Sequence, residues 1–195
     1  GYVVNASSEQ GLLAVNGMSY QARDGENANS AMIVTVTPED FPEKGTLGGI
    51  AFQRDLEKKA WELGKGKVPV QLFGDFCAHQ PSSQLGEIHP NIKGGYVLTD
   101  VRSILPKELG DSIEEGIFAF GKKLSGFDRK DAVLSGIESR TSSPVRLVRD
   151  QKGLSNITGI YPCGEGAGYA GGITSAAMDG IKTAEWIASE YMMKL

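Results

Sequence analysis

One stretch near the end of the chain leaves the fold little freedom. Asn156-Ile-Thr-Gly-Ile-Tyr-Pro-Cys163 reads as a short strand, and Gly164-Glu-Gly-Ala-Gly-Tyr-Ala-Gly-Gly172 is a glycine-rich turn. An unbroken helical pattern follows to the C-terminus. Strand, glycine turn and helix start together aim unpaired backbone N–H groups, and the positive end of a helix dipole, at an anionic or electron-rich ligand. In the helix, Ile173, Ala176, Ala177, Ile181, Ala184, Ile187, Ala188 and Tyr191 recur at helical spacing. They predict one buried apolar stripe, with Asp179, Lys182, Glu185, Ser189 and Glu190 on the solvated side. Gly180 falls on the expected buried stripe, where glycine costs about 1 kcal/mol relative to alanine. That position implies close approach of a backbone or a ligand, or tight helix-on-sheet packing.

Gly166-x-Gly168-x-x-Gly171 also matches the dinucleotide-binding fingerprint. That fingerprint opens a βαβ unit, with a second strand ending in a ribose-binding acid about 20 residues further on. Here the helical pattern runs on, and Glu190 stands on the helix where a strand end is required. The turn is therefore expected to be the last βα element of an α/β domain, which argues against an NAD(P)-binding domain in this segment.

The segment from Gly159 to Glu185 resembles the C-terminal flavin motif of bacterial NAD(P)/FAD-dependent oxidoreductases, in particular an FAD-dependent dehydrogenase family related to the two-dinucleotide-fold flavoproteins. Gly1–Glu9, Val15–Ser19, Asn27–Ala31, Val36–Phe41 and Ser139–Arg146 resemble the same family, so the likeness covers nearly the whole chain. The resemblance implies that Gly164 and Glu165 face the ribityl and phosphate region of FAD, with Gly166 and Gly171 also among the cofactor-binding residues. It implies that backbone N–H groups around Gly172, Ile173 and Thr174 face the flavin pyrimidine edge. Many relatives carry aspartate where this chain has Glu165.

A flavoprotein of this type begins with a strand, a glycine turn and an acid-ended second strand that hold the ADP half of FAD. No such unit is found ahead of residue 150, and the chain opens without methionine. The resemblance thus implies the C-terminal part of a longer enzyme, whose partner is its own amino-terminal FAD-binding half. The expected fold class is α+β: residues 1–150 as a substrate or cap domain inserted in the parent FAD domain, and residues 151–195 as the last strand, loop and helix of a split α/β FAD-binding domain. Flavin chemistry with a small-molecule substrate or NAD(P)H is expected of the parent and weak flavin binding of this piece. The alternative is a non-catalytic cap or interaction module.

Composition excludes other classes. Lys plus Arg is 20 and Asp plus Glu is 24, for a net charge of −4, with no basic stripe suited to nucleic acid. No apolar run approaches the roughly 20 residues that span a bilayer. Two cysteines form no disulfide framework and suit a reducing, cytoplasmic setting. Cys163 reads as a small residue at a strand end, since no CxxC redox pair is present. Cys77, His79 and His89 lack a metal-ligand pattern and read as loop residues.

Upstream, strands are expected at 31–37, 68–73, 132–138 and 144–149, and helices at 46–63 and 106–124. The first helix turns Ile50, Leu56, Ala60 and Leu63 inward, and the second Ile113, Ile117, Phe120 and Leu124. Residues 74–104, with several Gly, Pro and Ser, read as a long loop, and Asn16-Gly17 as a tight turn. Arg140-Thr-Ser-Ser-Pro-Val-Arg146 sets two arginines around three hydroxyls. Arginine's planar fork suits a carboxylate or phosphate, which makes Arg140 and Arg146 substrate-binding candidates beside the plainer reading of a solvated hairpin.

Overall fold

A computed structural model describes residues 1–192. Helices and small sheets are mixed, so the chain is α+β. It divides into two compact units, Gly1–Asp40 with Phe52–Ser139, and Phe41–Ala51 with the chain from Arg140 onward.

In chain order the elements are β1 (Tyr2–Asn5), β2 (Val15–Met18), α1 (Gly48–Gly64), β3 (Val68–Leu72), α2 (Phe73–Cys77), β4 (Ile92–Lys93), β5 (Tyr96–Leu98), a 3-10 turn at Val101–Ile104, α3 (Lys107–Gly121), β6 (Val133–Ser135) and α4 (Ile173–Met192). The first unit holds two three-stranded sheets, ordered β2-β1-β4 and β5-β3-β6. β1 runs antiparallel to β2, from Tyr2↔Met18 to Asn5↔Val15, and parallel to β4. β3 lies between parallel β5 and antiparallel β6. It is buried along nearly its whole length, as a central strand must be when both faces are covered.

Around β3 the core gathers Val68, Val70, Phe73, Phe76, Ile104 and Ile117, and Leu56 and Ala60 supply the inner face of α1. Buried polar groups here are paired, which removes the penalty of leaving them unsatisfied. Arg102 reaches Glu114 Oε2, Asp111 Oδ1 and the Phe76 carbonyl, and lies over the Phe76 ring. The Arg102 N–H donates to Gln71 Oε1, and Gln71 Nε2 donates to the Gln80 carbonyl. Glu57, fully buried, accepts from Ser139 Oγ at 2.6 Å.

Several expectations are corrected. Residues 74–104 are not a long loop: they carry α2, β4, β5 and the 3-10 turn, whose two- to five-residue elements are too short to show periodicity. Asn16-Gly17 is not a turn but lies inside β2, opposite Val3 and Val4. Residues 31–37 alternate between half-buried and exposed side chains as a strand does, but belong to no ladder. Residues 144–149 and 156–163 likewise form no strand. Along 155–160 the backbone turns instead, with Ile160 N–H on the Ile157 carbonyl and Gly159 at φ +85°. A strand is a relation between two segments, and neither finds a pairing strand among the described residues. In α3, Phe120 is exposed against Phe127, and Leu124 falls beyond the helix end at Gly121.

The largest correction concerns α4. Ala176, Asp179, Gly180, Thr183, Trp186, Ile187 and Glu190 form its less exposed face. Ile173, Ala177, Ile181, Ala184, Ala188 and Tyr191 are exposed instead. Of the side expected to be solvated, Asp179 and Glu190 pack, because polar partners reach them, while Lys182, Glu185 and Ser189 are exposed as expected; Ala176 and Ile187 of the expected apolar stripe share the packed face. Arg149 takes Asp179, and Tyr161 Oη donates to Glu190 at 2.9 Å. Nothing lies within 4 Å of where a Gly180 Cβ would stand, so no close approach occurs there among the described residues.

Candidate functional site

The glycine turn is held from several directions, all within the second unit. Its first amide, Gly164 N–H, donates to Asp179 Oδ2 at 2.8 Å, across to the second turn of α4. Gly164 has φ +73°, a left-handed conformation that favours glycine. Gly168 N–H donates to the Glu165 carbonyl and Tyr169 N–H to the Gly164 carbonyl, closing the turn on itself. The segment before it adds a second set of ties. Leu147 N–H donates to the Ala167 carbonyl, and Arg146 donates through Nε and Nη2 to the Gly168 carbonyl at 3.0 and 2.9 Å.

Arg149 sits at the centre. Its Nη1 donates to the Pro162 carbonyl at 2.7 Å, and its fork meets Asp179 Oδ1 and Oδ2 at 2.7 and 2.9 Å. The guanidinium lies 3.6 Å from the centroid of the Tyr169 ring and 5.2 Å from that of Trp186. Tyr169 Oη donates to the Leu147 carbonyl at 2.9 Å. Ion-pair side chains are only 10% and 13% exposed, so water screens the pair weakly. The Arg149 hydrogen bonds, with the Gly164 N–H adding to them, hold the Asp179 carboxyl down at about 2. The same contacts raise Arg149 above the ordinary arginine range.

The start of α4 stands open beside this frame. The first helical hydrogen bond runs from Ala176 N–H to the Gly172 carbonyl. The amides of Ile173, Thr174 and Ser175 precede it and have no carbonyl within the helix to donate to. The Ile173 side chain is 92% exposed.

The five glycines nearest this end separate into two kinds. A Cβ on Gly168 would stand 2.5 Å from the Val145 carbonyl oxygen, and Gly164 needs its positive φ, so the chain's own fold explains both. At Gly166 and Gly171 a Cβ would meet nothing within 4 Å, and at Gly172 only Ser175 Oγ at 3.8 Å. These three are small for no reason inside the described chain. They leave open space at the turn and at the helix start, room suited to an anionic or electron-rich group such as the phosphates or pyrimidine edge of a flavin nucleotide.

Of the other residues singled out from sequence, Glu165 is exposed on the turn and Arg140 is exposed at the head of the second unit. Arg146 is brought onto the turn through Gly168. Cys163 is exposed beside the turn, and His79 and His89 are exposed in loops of the first unit. Burial pushes the Cys77 thiol up. Sequence reasoning missed Arg149, Tyr169 and Asp179, whose partnership spans 30 residues. The available signal was an acid set among the small residues of α4, together with a second arginine three residues after Arg146.

No cluster of three His, Cys, Asp or Glu fit for a metal ion occurs among the described residues, and none of their helices is long and apolar enough to cross a membrane. The family described as "FAD-dependent protein, C-terminal domain-like" matches residues 1–141, well over half of the chain. The chain belongs to this family. The match ends ahead of the glycine turn. A Clostridium beijerinckii protein described as uncharacterized is 52% identical over 194 residues, which covers the turn as well. That alignment takes in 98% of this chain and 36% of the relative. The chain therefore spans little more than a third of the length of the curated relative it matches.

Proposed function

We propose that the chain is the C-terminal part of an FAD-dependent oxidoreductase. In this reading residues 1–150 form the substrate or cap domain, and residues 151–195 close a split α/β FAD-binding domain. The observation that carries it is the open glycine cradle at Gly166, Gly171 and Gly172 beside the unpaired amides of Ile173 and Thr174, in a member of an FAD-dependent family. Bound FAD supplies the redox chemistry, a hydride exchanged at the flavin with a small-molecule substrate or NAD(P)H.

The chain's own residues bind and orient. The amides at the start of α4 donate to the electron-rich edge of the ligand, and the helix dipole adds about 0.3–2 kcal/mol for negative charge there. Glu165 offers a carboxylate to ligand hydroxyls. Arg146 and Arg149 keep the turn in shape from behind, through Gly168 and through Asp179. Arg140 is assigned to an anionic group of the substrate, by the fork geometry that suits carboxylates and phosphates.

The test is purification of the full-length polypeptide that carries this segment, with its visible spectrum and flavin stoichiometry. A yellow protein that loses flavin on Glu165→Gln, and whose colour bleaches anaerobically with NAD(P)H or a substrate, supports the reading. A colourless full-length protein that takes up no added FAD refutes it.

A further inference from the structure

In the first unit, residues 31–37 have the composition of a strand, for the five from Ile33 onward are all β-branched. They are laid out as one too: Met32, Val34 and Val36 are half-buried, and Ala31, Ile33, Thr35 and Thr37 are exposed. The segment has neighbours. The Met32 methyl lies 3.3 Å from where a Gly116 Cβ would stand on α3, and Thr37 N–H donates to Asp40 Oδ2. Yet along 31–36 no backbone N–H or C=O finds a hydrogen-bond partner among the described residues. Ile33, on the outer face, is 66% exposed. A single strand laid over a helix is a sheet without its ladder, and pairing is what stabilises a strand.

The approach to β1 lies beside this segment. Gly1 N donates to the Asn27 carbonyl, and Asn29 Nδ2 donates to the Tyr2 carbonyl at 2.9 Å. A Cβ on Gly1 would collide with the Asn29 side chain. Two residues span at most about 7 Å, so Ala31 sets out close to Gly1. An extended seven-residue segment then carries the chain about 20 Å from there. Polypeptide joined to Gly1 N and running into β1 meets the start of 31–37 first and points the opposite way.

We infer that residues 31–37 pair antiparallel with a strand formed by the residues that directly precede Gly1 in longer proteins of this family. Sheet-building in the first unit then begins ahead of Gly1, which moves the substrate-domain boundary upstream of the one given above. Two observations select this occupant over a second copy of the chain. The point where preceding polypeptide joins lies at the very end of 31–37 that an antiparallel neighbour must reach. The match is to a C-terminal domain, and the aligned region is only 36% of the Clostridium beijerinckii relative, so chain is available ahead of it. The occupant is about seven residues long and apolar at alternate positions, to continue the row of Met32, Val34 and Val36 over α3. The inference rests on the reading of the chain as the C-terminal part of a longer flavoprotein.

Hydrogen exchange in the full-length polypeptide that carries this segment tests it. Amides of the paired edge within 32–36, and those of the stretch directly preceding Gly1, exchange at least about a hundredfold more slowly than unstructured chain. Successive residues send their N–H groups to opposite edges, so Ile33→Pro and Val34→Pro are made separately. One of the two removes an N–H from the paired edge and speeds exchange of the preceding stretch at least about tenfold, while the amides of β3 keep their protection. The unmutated protein decides the matter even where a proline variant fails to fold.

Free exchange along 31–37 in the full-length protein overturns the inference. So does protection there with the preceding stretch unprotected, or with that stretch indifferent to both proline variants. Protection that disappears on dilution to the monomer overturns it as well, because the occupant is then a second copy. A colourless full-length protein in which both stretches are protected and coupled sinks the flavin assignment and keeps the pairing. A yellow one whose residues 31–37 exchange freely does the reverse.

Discussion

Replacing Asp179 by asparagine keeps the shape of the side chain and removes its charge, which isolates the ion pair that anchors the glycine turn. The carboxyl is held at about 2 against an ordinary 3.8. At 1.36 kcal/mol per pKa unit that difference amounts to about 2 kcal/mol. Because the folded value lies below the unfolded one, this contribution is fully present above the unfolded value and fades as pH falls through about 2. Asp179→Asn should therefore cost about 2 kcal/mol at pH 7. The gap to the unmutated chain should shrink by roughly half by pH 3 and to about 0.4 kcal/mol at pH 2, where the folded carboxyl is half protonated.

The molecule supplies its own reporter. Its two tryptophans fall in different units, Trp61 in the first and Trp186 in the second, so Trp61→Phe leaves Trp186 to report on the unit that holds the pair. With a urea slope of about 2 kcal/mol per molar, the midpoint should move by roughly 1 M at pH 7. A shift below about 0.3 M at pH 7, or one equally large at pH 3, would refute the ion-pair account.

Three further outcomes follow from the same geometry. Gly168→Ala should cost about 2 kcal/mol or more, because φ is +82° and a Cβ would meet backbone on the 145–146 segment; Gly166→Ala should fold within about 0.5 kcal/mol of the parent in urea and weaken flavin retention on gel filtration of the full-length protein. Ile173→Pro removes one amide at the helix position that proline fits best, so circular dichroism should stay unchanged while the flavin Kd of the full-length protein rises about tenfold. Arg102→Met removes the partner shared by Asp111 and Glu114 and should lower first-unit stability by about 3 kcal/mol, read by Trp61 fluorescence in urea in a Trp186→Phe background.

What the sequence disclosed, and what it withheld, divides along a physical line. α1, α3 and α4 were legible because a 3.6-residue period with a proline or glycine at the ends is a local property of the chain. β3 was legible as a compact apolar run that its neighbours bury on both faces. β4 and β5, two and three residues long, carry no period at all. The failure at 156–163 is of another kind: its composition is that of a strand, but hydrogen-bonded pairing requires a second segment. The pattern in α4 revealed an amphipathic helix without revealing which side meets protein. Asp179 and Glu190 were assigned to water, and each has a specific partner in Arg149 and Tyr161. For the candidate site the glycines could be read directly. The frame behind them could not, since Arg149 and Asp179 stand 30 positions apart and neither advertises the other.

The stack of Arg149 on Tyr169, closed by Asp179, has a consequence for how a ligand is taken up. The turn reaches its final shape when the chain folds, so an incoming molecule is spared the entropy of ordering nine residues, and preorganisation of this kind favours tight capture. Loading should then be limited by encounter and desolvation rather than by loop rearrangement, and an emptied protein should refill without an induction phase.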